Sequence, residues 1–321
     1  MPRWQSVLNA NIAAYQEYLR RRRRDGDTIA EYSRLIRQAL DALGEAGLEV
    51  SPRRIGEEEI SFVYTDLYSH LTPHTARLHL SIIGTWLKRM AHNPVVENMC
   101  LEWPEDLRIN AKWLEPAQAK QLRNAAIGME RMVVHLELDC LMRRCEVLRL
   151  TVRDFRGGQI DVLGKGRLGG KRRSIPYHPK TPAELRYCMQ LREAMAEAAQ
   201  RRHGMAVVPE AVVVWERGGV LHAYQESGID KMLKRAAERA ELPQESVANH
   251  VLRRTGARIQ WLAGTPIATI MRTLGHATEE QTIGYLGLNL NDMRAGMANA
   301  ERYLEGLDVP ESGTNAAKPD M

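Results

Sequence analysis

A short segment near the C-terminus constrains the fold of this 321-residue chain most strongly. Leu274-Gly275 is typical of a helix end, because glycine readily adopts the left-handed backbone that follows a last turn. Thr278-Glu279-Glu280-Gln281 is a capping-box pattern, which opens another helix. The segment therefore predicts two helices joined by a tight turn, with His276 in the turn and Tyr285 one to two turns into the second helix.

Basic side chains upstream could share a site with this histidine and tyrosine. His250 and Arg253 are three residues apart, which places them on one face of a helix. Arg143 lies three residues before Glu146 in an apolar stretch, where an unpaired arginine would be costly; a salt bridge to Glu146 is therefore the alternative to a binding role. Lys165 lies between two glycines after a predicted strand. Such side chains can hold a phosphodiester and stabilise its charged transition state, and a tyrosine oxygen can attack it.

In order and spacing, these residues resemble the tyrosine recombinase (phage integrase) family, and most of all its compact Xer-type members. The resemblance covers residues 110 to 305 approximately, with a weaker match before them. It implies six catalytic residues, which are Arg143, Lys165, His250, Arg253, His276 and Tyr285. Tyr285 would be the nucleophile, and Lys165 would protonate the leaving 5′ oxygen, with Lys171 as the rival for that acid role. We expect no metal and no cofactor, because cationic side chains supply the charge stabilisation.

Further residues are expected to contact DNA phosphates. The stretch from Arg143 to Lys180 holds eleven lysines or arginines against three acids, whereas the first 103 residues hold thirteen of each sign. The basic excess therefore lies around the proposed chemistry. The predicted DNA-binding residues are Thr75, Arg77, Arg144, Arg167, Lys171, Arg172, Arg173 and Arg254. Thr75 and Arg77 follow from the family resemblance, and Arg254 stands where the family often has histidine.

Helical periodicity dominates the chain, and the predicted fold class is mainly α. Residues 1–103 are expected to form a four-helix bundle, which the resemblance identifies as the family's core-binding (SAM-like) domain that clamps DNA, and residues 104–112 a linker. Residues 113–307 would form a mixed, mostly α catalytic domain with a small antiparallel β-sheet, and 308–321 a disordered tail. Within the catalytic domain, Met129 to Arg149 is predicted as one long apolar helix, and strands are predicted at Gln159–Leu163 and Arg173–Tyr177.

The composition of the chain bears on its location in the cell and on metal binding. No apolar run reaches the length needed to span a bilayer, and the first residues contain no apolar signal region. The expected location is the cytoplasm, in association with the nucleoid. His70, His74 and His79 have loose metal-like spacing, but Pro73 would interrupt the helix that aligns them.

The expected function is site-specific DNA recombination through a 3′-phosphotyrosyl intermediate. The partners would be double-stranded DNA and other copies of the chain, as a dimer on one site and a tetramer on two. Two alternatives stay open: a type IB topoisomerase-like nicking-closing enzyme, and a DNA-binding regulator that does not cut. The sequence does not identify the target site, or distinguish integration from excision, dimer resolution or inversion.

Overall fold

The computed structural model describes residues 3–99, 101, 112–164, 170, 172–288 and 290–306, without the side chains of 3–8, 290 and 291. These residues are mainly helical and include two small antiparallel sheets, which confirms the predicted fold class. No helix in the described ranges is both long and apolar enough to cross a membrane. The chain divides into two compact units: a first unit of Met1–Asn110 and Arg143–Ile229, and a second unit of Ala111–Met142 and Asp230–Met321. The domain boundaries at 103 and 113 stay a prediction.

The N-terminal part of the first unit is a helical bundle. Its helices are α1 (Arg3–Arg21), α2 (Gly26–Glu45), α3 (Glu57–Phe62), α4 (Pro73–Ala91) and the short α5 (Val95–Asn98). α3 continues into a π-helical turn, Val63–Leu67. Apolar side chains of these elements bury one another in a core that includes Tyr15, Leu40 and Trp86. Such a core is expected for helices whose apolar residues recur about every 3.6 residues, because each helix then has one apolar face to bury.

Two helix starts in this bundle show how local side chains set the boundaries. The sequence Thr28-Ile29-Ala30-Glu31 resembles a capping box, but Asp25 is the cap of α2: its carboxylate accepts the Thr28 N–H at 2.8 Å. α4 has Pro73 in its first turn, after the cap Thr72. The Thr72 hydroxyl accepts the Thr75 N–H at 3.3 Å.

The rest of the first unit combines short strands with helices. α8 (Arg144–Arg149) is followed by an antiparallel sheet in the order β1 (Phe155–Arg156), β2 (Gln159–Leu163) and β3 (Arg172–Pro176). After α9 (Thr181–His203), a second antiparallel pair joins β4 (Val214–Arg217) to β5 (Val220–Ala223). The sequence predicts β2 and β3 closely, and its β-like apolar run Ala211–Trp215 overlaps β4, but it misses β1 and β5.

The second unit is all helical in its described residues. Its helices are α6 (Pro116–Ala125), α7 (Met129–Val134), α10 (Glu226–Arg239, from Asp230 onward), α11 (Asn249–Leu262), α12 (Ile267–Leu274), α13 (Glu279–Leu286) and α14 (Leu290–Glu305). A buried cluster of Leu141, Ala257, Ile270, Leu274 and Leu286 joins α11, α12 and α13. This cluster fixes the two helices of the C-terminal segment against α11.

The predicted long helix from Met129 to Arg149 is wrong. α7 passes into a π-helical turn, His135–Asp139, and the helix ends there. Leu141 then takes a left-handed backbone, with φ of 54°. Arg143 has an extended backbone and caps α8, because the Glu146 carboxylate accepts the Arg143 N–H at 2.8 Å. Arg143 is therefore the cap of a helix and not a residue in the middle of one.

Candidate functional site

Glu146 organises the predicted catalytic arginine of the first unit. Its carboxylate is fully buried and accepts from Arg143 Nη1 at 3.0 Å, which confirms the salt bridge considered from the sequence. It also accepts two hydrogen bonds from Arg173, at 2.8 and 2.9 Å. Paired N–H donors facing a carboxylate form a strong and directional contact. The Arg143 side chain keeps 34% of its surface exposed, so the buried carboxylate holds it at the surface.

Arg173 points inward from β3. It is paired with Val162 across the sheet, on the same face as the buried pair Ile160 and Ile175. Its side chain is only 12% exposed. Its predicted contact with DNA stays untested, but the structure gives it an internal partner, Glu146, that the sequence analysis missed. The alternation of β3 is the signal that could have found it, since residues two apart share a face.

The other predicted DNA-binding residues of the first unit lie near the surface. Arg172 is exposed on β3, and Arg144 pairs with Glu226. In the bundle, Arg77 is exposed in α4, and the Thr75 hydroxyl contacts that of Thr72 at 2.9 Å. The remaining predicted residues of the hairpin, Lys165, Arg167 and Lys171, lie outside the described residues.

Arg253 is buried in the second unit. Its side chain comes from the first half of α11 and is 3% exposed. The guanidinium donates to the backbone carbonyls of Leu141 and Leu274. The contact with Leu274 joins Arg253 to the end of α12, two residues before His276. Ser246, a residue type that often caps helices, does not cap α11: its hydroxyl donates to the Pro243 carbonyl, and Ala248 stands at the cap.

His250 lies in the first turn of α11 and is exposed. Partial loss of solvent, and then the positive charges of Arg254 and Lys112, lower the pKa of His250 below its ordinary value. An imidazole with a lowered pKa is uncharged at neutral pH and can accept a proton. This state fits the predicted role of His250 as the acceptor of the tyrosine proton.

His276 occupies the turn that the sequence predicts. α12 ends at Leu274, and Gly275 adopts the left-handed backbone with φ of 66°. The Thr278 hydroxyl then accepts the Gln281 N–H and opens α13. His276 Nδ1 lies 3.1 Å from the Thr282 hydroxyl, and this contact fixes the orientation of the imidazole.

Tyr285 lies among the other predicted residues of this unit. Its ring meets the His276 ring edge-on, with centroids 5.2 Å apart and planes at 84°. Its hydroxyl donates to the His250 carbonyl at 3.3 Å. The Arg254 guanidinium lies over its face, 4.9 Å from the ring centroid. The ring also packs against the buried cluster of α11, α12 and α13. The structure thus brings His250, Arg254 and His276 around Tyr285.

Comparisons with known proteins identify a family and a shared fold. The Phage integrase family profile matches residues 112–291, more than half of the chain. A crystal structure of XerH site-specific recombinase bound to palindromic difH substrate aligns with a TM-score of 0.63 and 16% identity, over 85% of this chain and 80% of that one. A Tn1549 transposon integrase in complex with circular intermediate DNA aligns with a TM-score of 0.63 and 14% identity, over 91% of this chain and 99% of that one.

A lambda integrase dimer bound to a COC′ core site also aligns, with a TM-score of 0.59 and 15% identity, over 87% of this chain and 94% of that one. At these identities the structural likeness shows a shared fold. No curated protein matches the chain by sequence. The profile match over residues 112–291 shows that the chain belongs to the phage integrase family.

Proposed function

We propose that the protein is a site-specific DNA recombinase that cuts and rejoins double-stranded DNA through Tyr285. The observation that carries the proposal is the position of Tyr285, with His276 edge-on to its ring and its hydroxyl 3.3 Å from the His250 carbonyl. The similar structures named above include a recombinase and two integrases bound to DNA. Double-stranded DNA is accordingly the proposed partner.

In the proposed reaction, the Tyr285 oxygen attacks a phosphorus atom of the DNA backbone. The phenol proton passes to the neutral His250 imidazole. A phosphorus–oxygen bond forms to tyrosine, the bond to the 5′ oxygen breaks, and Lys165 gives that oxygen a proton. A second 5′ hydroxyl then reverses these steps and releases Tyr285. The ester conserves the bond energy, so the exchange needs no nucleotide hydrolysis.

The charged phosphate would be stabilised by donors around it. We assign this role to Arg143, Arg253 and His276, since preorganised donors stabilise charge that develops in a transition state. Arg143 is suited to it by the buried Glu146, which holds the guanidinium while a third of the side chain stays exposed. The proposed contacts with flanking phosphates are those of Thr75, Arg77, Arg144, Arg167, Lys171, Arg172 and Arg173.

The exposed apolar side chains of α14 favour a recombinase over a topoisomerase. Met293, Met297, Tyr303 and Leu304 are each more than half exposed. Apolar groups on one terminal helix suit docking onto another copy of the chain. We therefore propose a dimer on one DNA site and a tetramer on two. The corresponding place of action is the nucleoid in the cytoplasm.

Substitution of Tyr285 by phenylalanine tests the proposal. Incubation of the protein with genomic DNA fragments, followed by denaturation and sequencing of the protein-linked DNA, identifies the cleaved site. A nicked duplex of that site then traps the covalent adduct on a denaturing gel. Tyr285→Phe removes only the attacking oxygen, so we expect no adduct and nearly unchanged DNA affinity. The matched control is Tyr303→Phe, which removes the other phenol oxygen after His276 but keeps the apolar ring of α14, so this variant should still form the adduct.

Each alternative gives a different result in this experiment. Adducts scattered over all sequences, with relaxation of supercoiled DNA, would indicate a topoisomerase. Binding to a defined site without an adduct from the wild-type protein would indicate a regulator. An adduct that persists in Tyr285→Phe would show that Tyr285 is not the nucleophile.

A further inference from the structure

Arg254 contacts the proposed nucleophile directly. It follows Arg253 in α11, yet its guanidinium lies 4.9 Å from the centroid of the Tyr285 ring. A guanidinium over an aromatic face is attracted to the negative charge of the π-system, and the attraction is stronger where water is excluded. Its Nε is buried and has no hydrogen-bond partner. The aromatic face of Tyr285 is therefore a principal contact of the Arg254 head group.

The positive charge of Arg254 also acts on the His250 imidazole. Other charged and titratable groups near the ring or the His250 imidazole include Lys112 before α6 and His276 after α12. Arg254 is the second-largest cause of the lowered pKa of His250, after the loss of solvent. The positive charge of Arg254 thus acts on both partners of the proposed proton transfer.

We propose that Arg254 is a positioning residue for Tyr285, which holds its ring by a cation–π contact and stabilises the phenolate that forms during attack. Its charge also favours the uncharged form of His250, which can take the phenol proton. The inference rests on the proposed function, because it assigns Arg254 a part in the same cleavage step. It also replaces the predicted contact of Arg254 with a DNA phosphate, since the half-buried guanidinium is already engaged by the ring.

The test compares Arg254→Gln with Arg254→Lys, using the trapped-adduct assay at saturating protein over a range of pH. Arg254→Gln removes both the charge and the planar cation. We expect adduct formation at pH 7 to slow about tenfold, because a loss of about 1.4 kcal/mol in the transition state is tenfold in rate. The pH at which cleavage reaches half its maximum should rise, because His250 then accepts a proton more easily and is neutral only at higher pH.

Arg254→Lys keeps the charge but lacks the planar guanidinium. We expect a several-fold lower rate with an unmoved pH midpoint, so this variant separates positioning of the ring from the charge effect. It also keeps the inference testable if Arg254→Gln does not fold. The matched control is Arg272→Gln, which removes an exposed arginine of α12 from the same unit and should leave both rate and midpoint unchanged.

DNA affinity measured at several salt concentrations distinguishes a phosphate contact. Loss of one phosphate contact would reduce the slope of log affinity against log salt by about 0.9. We expect the slope and affinity of Arg254→Gln to match the wild type. A reduced slope with an unmoved pH midpoint, or no change in any measurement, would overturn the inference.

Failure of the proposed function gives a separate result, since the wild-type protein would then form no adduct at all. If wild type forms an adduct that Tyr285→Phe abolishes, while Arg254→Gln cleaves like wild type, only the role of Arg254 is wrong.

Discussion

Glu146 shows how one residue can set the position of another. The carboxylate is fully buried and holds two guanidinium groups, those of Arg143 and Arg173. It also accepts the N–H of Arg143 and so determines where α8 begins. The Glu146 side chain therefore does two things: it starts α8 where a continuous helix was predicted, and it holds Arg143, which we propose binds the DNA phosphate.

We expect Glu146→Gln to weaken both the fold and the proposed cleavage. The amide keeps the shape of the side chain but leaves two arginines beside a neutral group, and loss of a partner from a buried ion pair costs about 3 to 5 kcal/mol. The free energy of unfolding, measured in urea, should fall by about 3 kcal/mol. The rate of adduct formation, measured on the nicked duplex, should fall at least tenfold because Arg143 is no longer held.

The control for this prediction is Glu226→Gln, which removes the partner of Arg144. Glu226 is 58% exposed, and exposed ion pairs contribute at most about 1 kcal/mol. Equal losses of stability in the two variants would contradict the role given to Glu146.

At the scale of elements, α11 packs closely against the π-helical turn that follows α7. The contact is made by Gly256, where an added Cβ would lie 1.8 Å from the Leu138 carbonyl oxygen. No side chain fits at that distance from a backbone atom. α11 carries His250, Arg253 and Arg254. The close approach at Gly256 therefore sets how near these residues come to Leu141, whose carbonyl accepts from Arg253.

Gly256→Ala is therefore expected to destabilise the protein, although alanine favours helices. Overpacking of a core costs about 1 to 3 kcal/mol, and here the obstacle is backbone, so we expect about 3 kcal/mol in the free energy of unfolding. Gly284→Ala is the matched control, because no atom lies within 4 Å of an added Cβ there. Gly284→Ala should stabilise by up to about 1 kcal/mol. Destabilisation by both substitutions would point to helix propensity instead of the close contact.

At the scale of the whole molecule, α14 carries the exposed apolar surface that we propose docks onto another copy. Arg258 fixes the start of this helix, since it pairs with Asp292 and donates to the Leu286 carbonyl at 3.1 Å. The exposed fractions of Met293, Met297 and Tyr303 rise from 61% to 71% along the helix. The start of α14 is held by contacts within its own chain, and the rest of the helix exposes its apolar side chains.

We expect Met297→Asp to impair assembly on DNA while leaving the fold intact. A charge at a buried apolar contact between copies would cost several kcal/mol, whereas an exposed site in the single chain tolerates it. Sedimentation on duplexes with one and two sites should show loss of the dimer and tetramer, with an unchanged melting temperature. Ala295→Asp, at an exposed alanine on the opposite face of the same helix, is the control and should assemble more fully. Normal assembly by Met297→Asp would exclude this face as the docking surface.

The sequence by itself determined the features that depend on neighbouring residues. Gly275 and Thr278 place His276 between two helices because a left-handed glycine and a hydroxyl cap act within one turn of the chain. Pro73 marks the first turn of α4 for the same reason. The apolar period of the first hundred residues predicts the helical bundle, since each helix must bury one face.

Tertiary structure alone decided the features that join distant residues. Apolar periodicity continues through Leu141, so it could not show that this residue takes a left-handed backbone and ends the predicted helix. Glu146 pairs with Arg173, which lies 27 residues later in the chain. Tyr285 contacts Arg254, which lies 31 residues earlier. Such pairs form only when strands and helices pack, because packing and not local backbone preference brings their side chains within contact distance.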